Sequence, residues 1–346
     1  MAFKQATVNA SDIPSTQSNF PAYVDLSRLG ITTLAEAQSV RCYADESKVT
    51  ELAREIVSVT EMHVKIPSLT STFVLYVEYD GVSSDYAVTD TYGRNAVWSD
   101  YELVYHMNDT TTTQTDSTGH GGDALTEMSN PTEGVTGAIG NAVSYDNNDS
   151  HRQTTYPVDA LSALSVSAWV KPNNFSTQNP IAAMGDVYAG GYRVAWAFIN
   201  LPTGANYMSV YKTLSPTVRI ESSSSTSLTS GAWNHVAATW NPTGGVVKHY
   251  LAGSPDGTNS NASVNAMVNL STTYDKFYIG RTENQFGDQY MNGSIDELRV
   301  REAVLSDDWY ATEHNNQSDE STFWGTWSDV SASSTPKNPL FMGGGL

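Results

Sequence analysis

Apolar residues recur at every second position in short runs along this chain, and Gly, Pro, Asn and Asp interrupt the runs at close intervals. That alternation predicts half-buried β-strands. The clearest run is Thr72–Tyr79 (TFVLYVEY), which places Phe73, Leu75, Val77 and Tyr79 on one face. Ala22–Leu29, Val40–Ala44 and Met62–Ile66 alternate similarly, while Val49–Val57 suits a helical turn or a strand and is read as strand. A second series covers Val97–His106, Gly137–Tyr145, Leu164–Pro172, Gly191–Ile199, Asn206–Tyr211, Thr217–Glu221, Gly231–Trp240, Val246–Gly253 and Lys276–Arg281. It closes with Tyr290–Gln317, where Ile295, Leu298 and Val300 supply a strand after the turn pair Asn292-Gly293. Ser306 then reads as an N-cap, followed by Asp307 and Asp308 at the positive end of a short helix.

The pattern predicts an all-β chain of two sandwich domains, residues 18–90 and 97–317, joined by the polar connector Gly81–Ala96. Residues 1–17 lack periodicity and are expected to form an N-terminal arm. Residues 318–346 are expected to be a tail, with Phe323, Trp324 and Trp327 spaced like a packing segment. Its end is either a flexible terminus or an extended arm whose Leu340, Phe341 and Met342 dock on a neighbouring subunit.

Charge narrows the partners. The 37 acidic and 18 basic residues give a formal charge of −19, which repels nucleic acid and anionic membranes. The first residues carry no basic region followed by an apolar one, so no signal peptide is expected. The longest clear apolar run, Val194–Ile199, is too short to insert into a bilayer. Cys42 is the single cysteine and is read as a small buried apolar residue.

The seven histidines show no zinc-protease or Cys/His spacing, and His106 and His235 fall inside strand patterns, where packing is the expected role. No nucleophile elbow or phosphate loop is present. Asp146, Asn148, Asp149 and Ser150 place hard oxygen ligands in one loop, to which Asp116 and Asp288 could add if the loops converge. The loop is not an EF-hand, because its sixth position is His151. Aromatic faces are the remaining signal: Tyr188, Tyr192, Trp196, Tyr207, Tyr211 and Tyr290 are candidates for stacking on sugar rings, while Trp169, Trp233 and Trp240 are expected in the core.

Several ordered stretches resemble the laminin-G-like jelly rolls of the concanavalin A-like lectin/glucanase superfamily. They are GAIGNAVSY, GAWNHVAATW, KFYIGR and GSIDELRV followed by the LSDD helix start. FPAYVDLSRLG, VRCYADES and MHVKIPSLTSTFVLYVEYDG resemble a small β-sandwich domain of unknown function that precedes such jelly rolls in phage and bacterial surface proteins. The resemblance implies calcium at a sheet edge, through Asp116, Asp146, Asn148, Asp149 and Asp288. Glucanases of the superfamily carry E-x-D-x-x-E on one strand, where this chain has Ser294, Asp296 and Arg299. One carboxylate cannot serve as both acid and nucleophile, so Asp296 is expected to hold backbone amides or pair with Arg299. The expected function is therefore non-enzymatic. It is a virion structural or adhesion protein of a tailed phage (capsid decoration, fibre or tail), made in the host cytoplasm and displayed on the virion surface. Its partners would be other virion proteins, copies of itself, and cell-surface or environmental glycans. An exported, extracellular carbohydrate-binding adhesin and a divergent glycan hydrolase or lyase are the alternatives.

Overall fold

The computed structural model describes residues 2–128, 131–148, 150–188, 191–270, 276–284 and 287–331. Leu340, Phe341, Met342 and Asp149 lie outside these residues, as do the side chains of Tyr188, Tyr192 and Asp288.

The architecture is all-β, as the alternation requires. In the first domain a five-stranded sheet runs in the order Ser328–Asp329, Ala2–Thr7, Val74–Tyr79, Arg41–Tyr43, Glu51–Leu52. It faces a three-stranded sheet ordered Gln17–Asp25, Glu61–Leu69, Arg54–Ile56. Phe20, Val24, Val64, Ile66, Leu75 and Val77 fill the space between them. Cys42 is buried there with its Sγ 3.8 Å from Met62 Sδ, and burial pushes its thiol up to about 12.

Two eight-stranded antiparallel sheets make the second domain. The front sheet runs Thr217–Ser227, Ala205–Leu214, Gly191–Asn200, Asn179–Tyr188, Phe277–Ile279, His151–Thr154, Ala124–Met128, Thr113–Gln114. The back sheet runs Thr132–Thr136, Asn141–Asp146, Asn292–Arg301, Leu164–Pro172, Asn234–Asn241, Val246–Leu251, Ser254–Ser260, with Leu103–Tyr105 also paired to Asn292–Arg301. Val166, Val170, Trp196, Phe198, Trp240 and Leu298 are among the residues buried between them.

Both chain ends depart from expectation. The supposed arm is the strand Ala2–Thr7, paired along its length with Val74–Tyr79. The tail forms a short helix, Glu320–Trp324, which sinks Phe323 and Trp324 into the first domain's core. It then adds the strand Ser328–Asp329 beside Ala2–Thr7, fixed by the Lys4–Asp329 ion pair at 3.0 Å. A two-residue edge strand has no period to read; its partner alone defines it.

The start of the second unit differs as well. Val97–His106 is a short helix, Arg94–Val97, and then only three residues of strand, Leu103–Tyr105. Val97, Trp98 and Tyr101 are buried in the first domain's core. The helix Asp307–Ser318, capped by the Ser306 side chain on Trp309 N, lies between the domains. Its Trp309 meets Phe20 at 5.1 Å and its Tyr310 meets Tyr250 at 4.4 Å between ring centroids. The side chain of Asn316 accepts from Tyr23 N and donates to Tyr23 O, on the outer edge of Gln17–Asp25, whose other edge pairs with Glu61–Leu69.

Candidate functional site

The closing strand Asn292–Arg301 decides where the chain's charged groups go. Asp296 pairs with Trp169 but Arg299 pairs with Ser167, so two residues on this strand oppose one on its neighbour. This bulge centres on Glu297, whose φ of 49° is unusual for a residue with a side chain. Ile295, Leu298 and Val300 thereby share the core face. Asp296, Glu297 and Arg299 are buried outside that core, with Glu297 facing His63 of the first domain and Arg299 facing Glu313 of the interdomain helix.

Asp296 Oδ2 accepts from Ala138 N and Ile139 N, both at 2.9 Å, so it secures the turn before Asn141–Asp146. Burial, the adjacent Glu297 carboxylate and opposing amide bonds leave its carboxyl well above the usual range. Arg299 pairs with Glu297 Oε2 at 2.6 Å instead of with Asp296.

Around Glu297 the two domains bring four further groups together. Glu61 and His63 project from the same face of Glu61–Leu69, and Glu55 comes from the adjacent strand. His106 follows the strand Leu103–Tyr105. His106 Nδ1 donates to Glu297 Oε1 at 2.6 Å and its Nε2 donates to Glu55 Oε2 at 3.0 Å. Glu61 Oε1 lies 3.5 Å from His106 Nδ1 and 3.3 Å from His63 Nε2, which is itself 3.9 Å from Glu297 Oε2. The two imidazoles stack at 4.5 Å beside Trp98. All of these groups are buried.

Charge is divided unevenly among them. Burial disfavours the His106 cation, but Glu297 and Glu55 outweigh it and raise its affinity for a proton well above the ordinary histidine value. Burial pushes His63 well below that value, so the two stacked rings are not both charged. Burial opposes ionisation of Glu297 too, yet His106 and Arg299 hold it well below the usual carboxylate range. Burial and the Glu297 charge drive Glu61 well above that range. His106 is thus packed, as its strand position implied, but it is also the hinge of a polar network. A cavity of about 230 Å³ borders Glu55, His106, Asn108 and Ser117.

Of the expected calcium set, Asp116, Asp146 and Asn148 fall within the described residues. Asp116 is buried, and its carboxylate accepts from Val104 N, Thr118 N, Thr118 Oγ1 and Gly122 N. Both of its oxygens are occupied by the turn it stabilises, so it is not a free ligand. Asp146 is exposed and accepts from Asn148 N at 3.0 Å, with Asn148 exposed beside it.

The aromatic candidates separate too. Trp196 is fully buried in the sandwich core and donates from Nε1 to Val158 O at 2.7 Å, so it cannot meet a sugar. Tyr211 is also covered, with the Arg219 guanidinium 5.5 Å over its ring. Tyr207 remains half-exposed on the outer side of the front sheet, donating to Glu221 Oε1 at 2.6 Å. Arg219 pairs with Glu221 at 2.9 Å, and both are more than two-fifths exposed. Tyr290 is half-buried near His151. Trp169 is buried on the back sheet beneath the interdomain helix, donating to Gln317 Oε1, and Trp240 alone of the three expected core tryptophans lies between the sheets. Trp233 is half-buried.

Residues 146–309 match the Laminin_G_3 family model, described as the concanavalin A-like lectin/glucanases superfamily. The second domain is a concanavalin A-like jelly roll. Curated proteins give no match to the chain. Among solved structures, the jelly-roll chain is similar to domain 4 of AbnA, a GH43 extracellular arabinanase from Geobacillus stearothermophilus in complex with arabinotriose. Identity is 23%, over 62% of this chain and 98% of that one, with a TM-score of 0.43. It is similar to the CBM40 of the IT-sialidase from Ruminococcus gnavus bound to alpha2,3 sialyllactose, at 16% identity over 50% and 96% of the two chains and a TM-score of 0.40. It is also similar to the heptameric SAP-like pentraxin of Limulus polyphemus, at 18% identity over 53% and 85%, with a TM-score of 0.38.

Proposed function

We propose that this jelly-roll protein is a non-enzymatic glycan-binding adhesion protein. One observation carries the reading: half-exposed Tyr207 and exposed Arg219 and Glu221 form an aromatic and charged platform on the outer side of the front sheet. An aromatic face flanked by a guanidinium and a carboxylate suits a sugar, whose C–H face stacks while its hydroxyls take hydrogen bonds. The similar arabinanase and sialidase domains were solved with arabinotriose and sialyllactose, which supports the same class of ligand here. Catalysis of the glucanase type is disfavoured because Asp296 is committed to Ala138 and Ile139 and Ser294 and Arg299 replace its partners.

We place the protein on a virion surface, where the first domain and the residues beyond 331 would attach to the particle and the front sheet would face outward. The polar loop of Asp146 and Asn148 is the calcium candidate in this reading. A glycan-array screen of the full chain, with and without chelator, tests the ligand. Binding that Tyr207→Ala reduces at least tenfold is expected, and a chelator-sensitive part would implicate the loop. Silence on the array in both conditions would remove glycan binding. Detection of the chain in purified virions tests the location, and its absence there would favour an exported adhesin.

A further inference from the structure

We propose that Glu61, His63, His106 and Glu297 bind one divalent transition-metal ion that ties the two domains together. Two imidazoles and two carboxylates are a donor set for zinc-type ions, and one ligand atom from each lies within 4.8 Å of every other. Tetrahedral bonds of about 2.0–2.1 Å require neighbouring ligand atoms about 3.3–3.4 Å apart. Glu61 Oε1 lies 3.3 Å from His63 Nε2 and 3.5 Å from His106 Nδ1, close to that edge, and Glu297 Oε2 lies 3.9 Å from His63 Nε2. The shorter His106–Glu297 contact of 2.6 Å is a hydrogen bond that the ion would replace, opening the pair by less than about 1 Å.

A second shell is already built. Glu55 accepts from His106 Nε2, which leaves Nδ1 to face the cluster, and Glu55 is itself held by Trp98 Nε1 and Ser117 Oγ. Arg299 orients Glu297 from behind. Independently of that arrangement, Glu61 Oε2 and Asn108 Oδ1 are buried without a hydrogen-bond partner among the described residues. Both flank Gly140, where a Cβ would stand 2.7 Å from Glu61 Oε2 and 3.7 Å from Asn108 Oδ1. These two orphaned oxygens are acceptors that a cation would satisfy. The cavity bordering His106 and Asn108 gives the ion a route from solvent.

The competing account is that His106, as an imidazolium, holds Glu55 and Glu297 without any metal. The full chain, stripped with chelator and exchanged into metal-free buffer, is titrated with Co²⁺ and then Zn²⁺ while metal content is followed by native mass spectrometry. A single ion per chain, with the visible bands of four-coordinate cobalt displaced by zinc, is expected. Glu61→Gln, which keeps the shape and removes the charge, and His63→Ala should abolish stoichiometric uptake. Glu55→Gln should weaken it about 10–100-fold, and His120→Ala, at an exposed histidine, should leave it unchanged. No uptake by the wild-type chain, or uptake unaffected by Glu61→Gln and His63→Ala, would overturn the site. The wild-type titration decides the matter even where a substitution unfolds the chain.

Discussion

Neighbouring carboxylates in this protein do different work according to what surrounds them. Asp296 and Glu297 are adjacent in sequence, yet one caps a turn and the other joins an ion network across a domain boundary. The first was legible, because Ser294 and Arg299 had removed the partners that catalysis needs. The second was not, because Glu55, the Glu61–His63 pair, His106 and Glu297 come from four separate segments and no spacing records their convergence. The only hints were Glu61 and His63 two apart in an alternating run, and the odd spacing of Ile295 and Leu298 that betrays the bulge. Glu313 shows how such burial becomes pH dependence. Burial opposes its charge, but bonds from His235 and Ser167 and the Arg299 charge lower its pKa from 4.5 to about 2. Its stabilising contribution is present above about pH 4.5 and is lost as pH falls toward 2. The shift corresponds to about 3 kcal/mol. Chemical denaturation at pH 7 and pH 3 should therefore show Glu313→Gln destabilised at the first and much closer to wild type at the second. An equal deficit at both would contradict the assignment.

At the scale of elements, the segments with strong local signals formed where expected. Leu164–Pro172 is a strand with the predicted limits, and the Ser306-Asp307-Asp308 helix start is capped by the serine side chain. Ser306→Ala should cost about 1 kcal/mol in a denaturant titration, the usual value of a lost N-cap. A change near zero would mean that burial of Trp309 and Tyr310 alone holds the helix. Elements without local signals were misread. Ala2–Thr7 and Ser328–Asp329 are edge strands defined by their neighbours, and Glu320–Trp324 is too short to declare itself as a helix. Trp196 was read as a possible sugar platform because an apolar run cannot say which of its two faces is covered. The sheet settles that, placing it with Phe198 on the inner side.

Taken whole, the molecule has two sandwiches but not two independent cores. The first domain's apolar cluster includes Ala237 and Tyr250 of the back sheet and Trp309 and Tyr310 of the helix between. Removing either sandwich would expose the groups of the other that face it, including the buried charges of Glu297 and Arg299. Thermal unfolding followed by calorimetry should therefore show one cooperative transition, and two well-separated transitions would show that the interface does not couple them. The helix Asp307–Ser318 and the first domain pack on the outer face of the back sheet, through Ala237 and Tyr250.

The pairing of Ser328–Asp329 with Ala2–Thr7 brings Val330 N within 2.9 Å of Phe3 O. Between those points the polypeptide is almost a ring, broken at a single seam on the first domain's edge. A load applied through the chain beyond residue 331 would reach this seam first, opening two residues of ladder one bond at a time while the jelly roll stays shut.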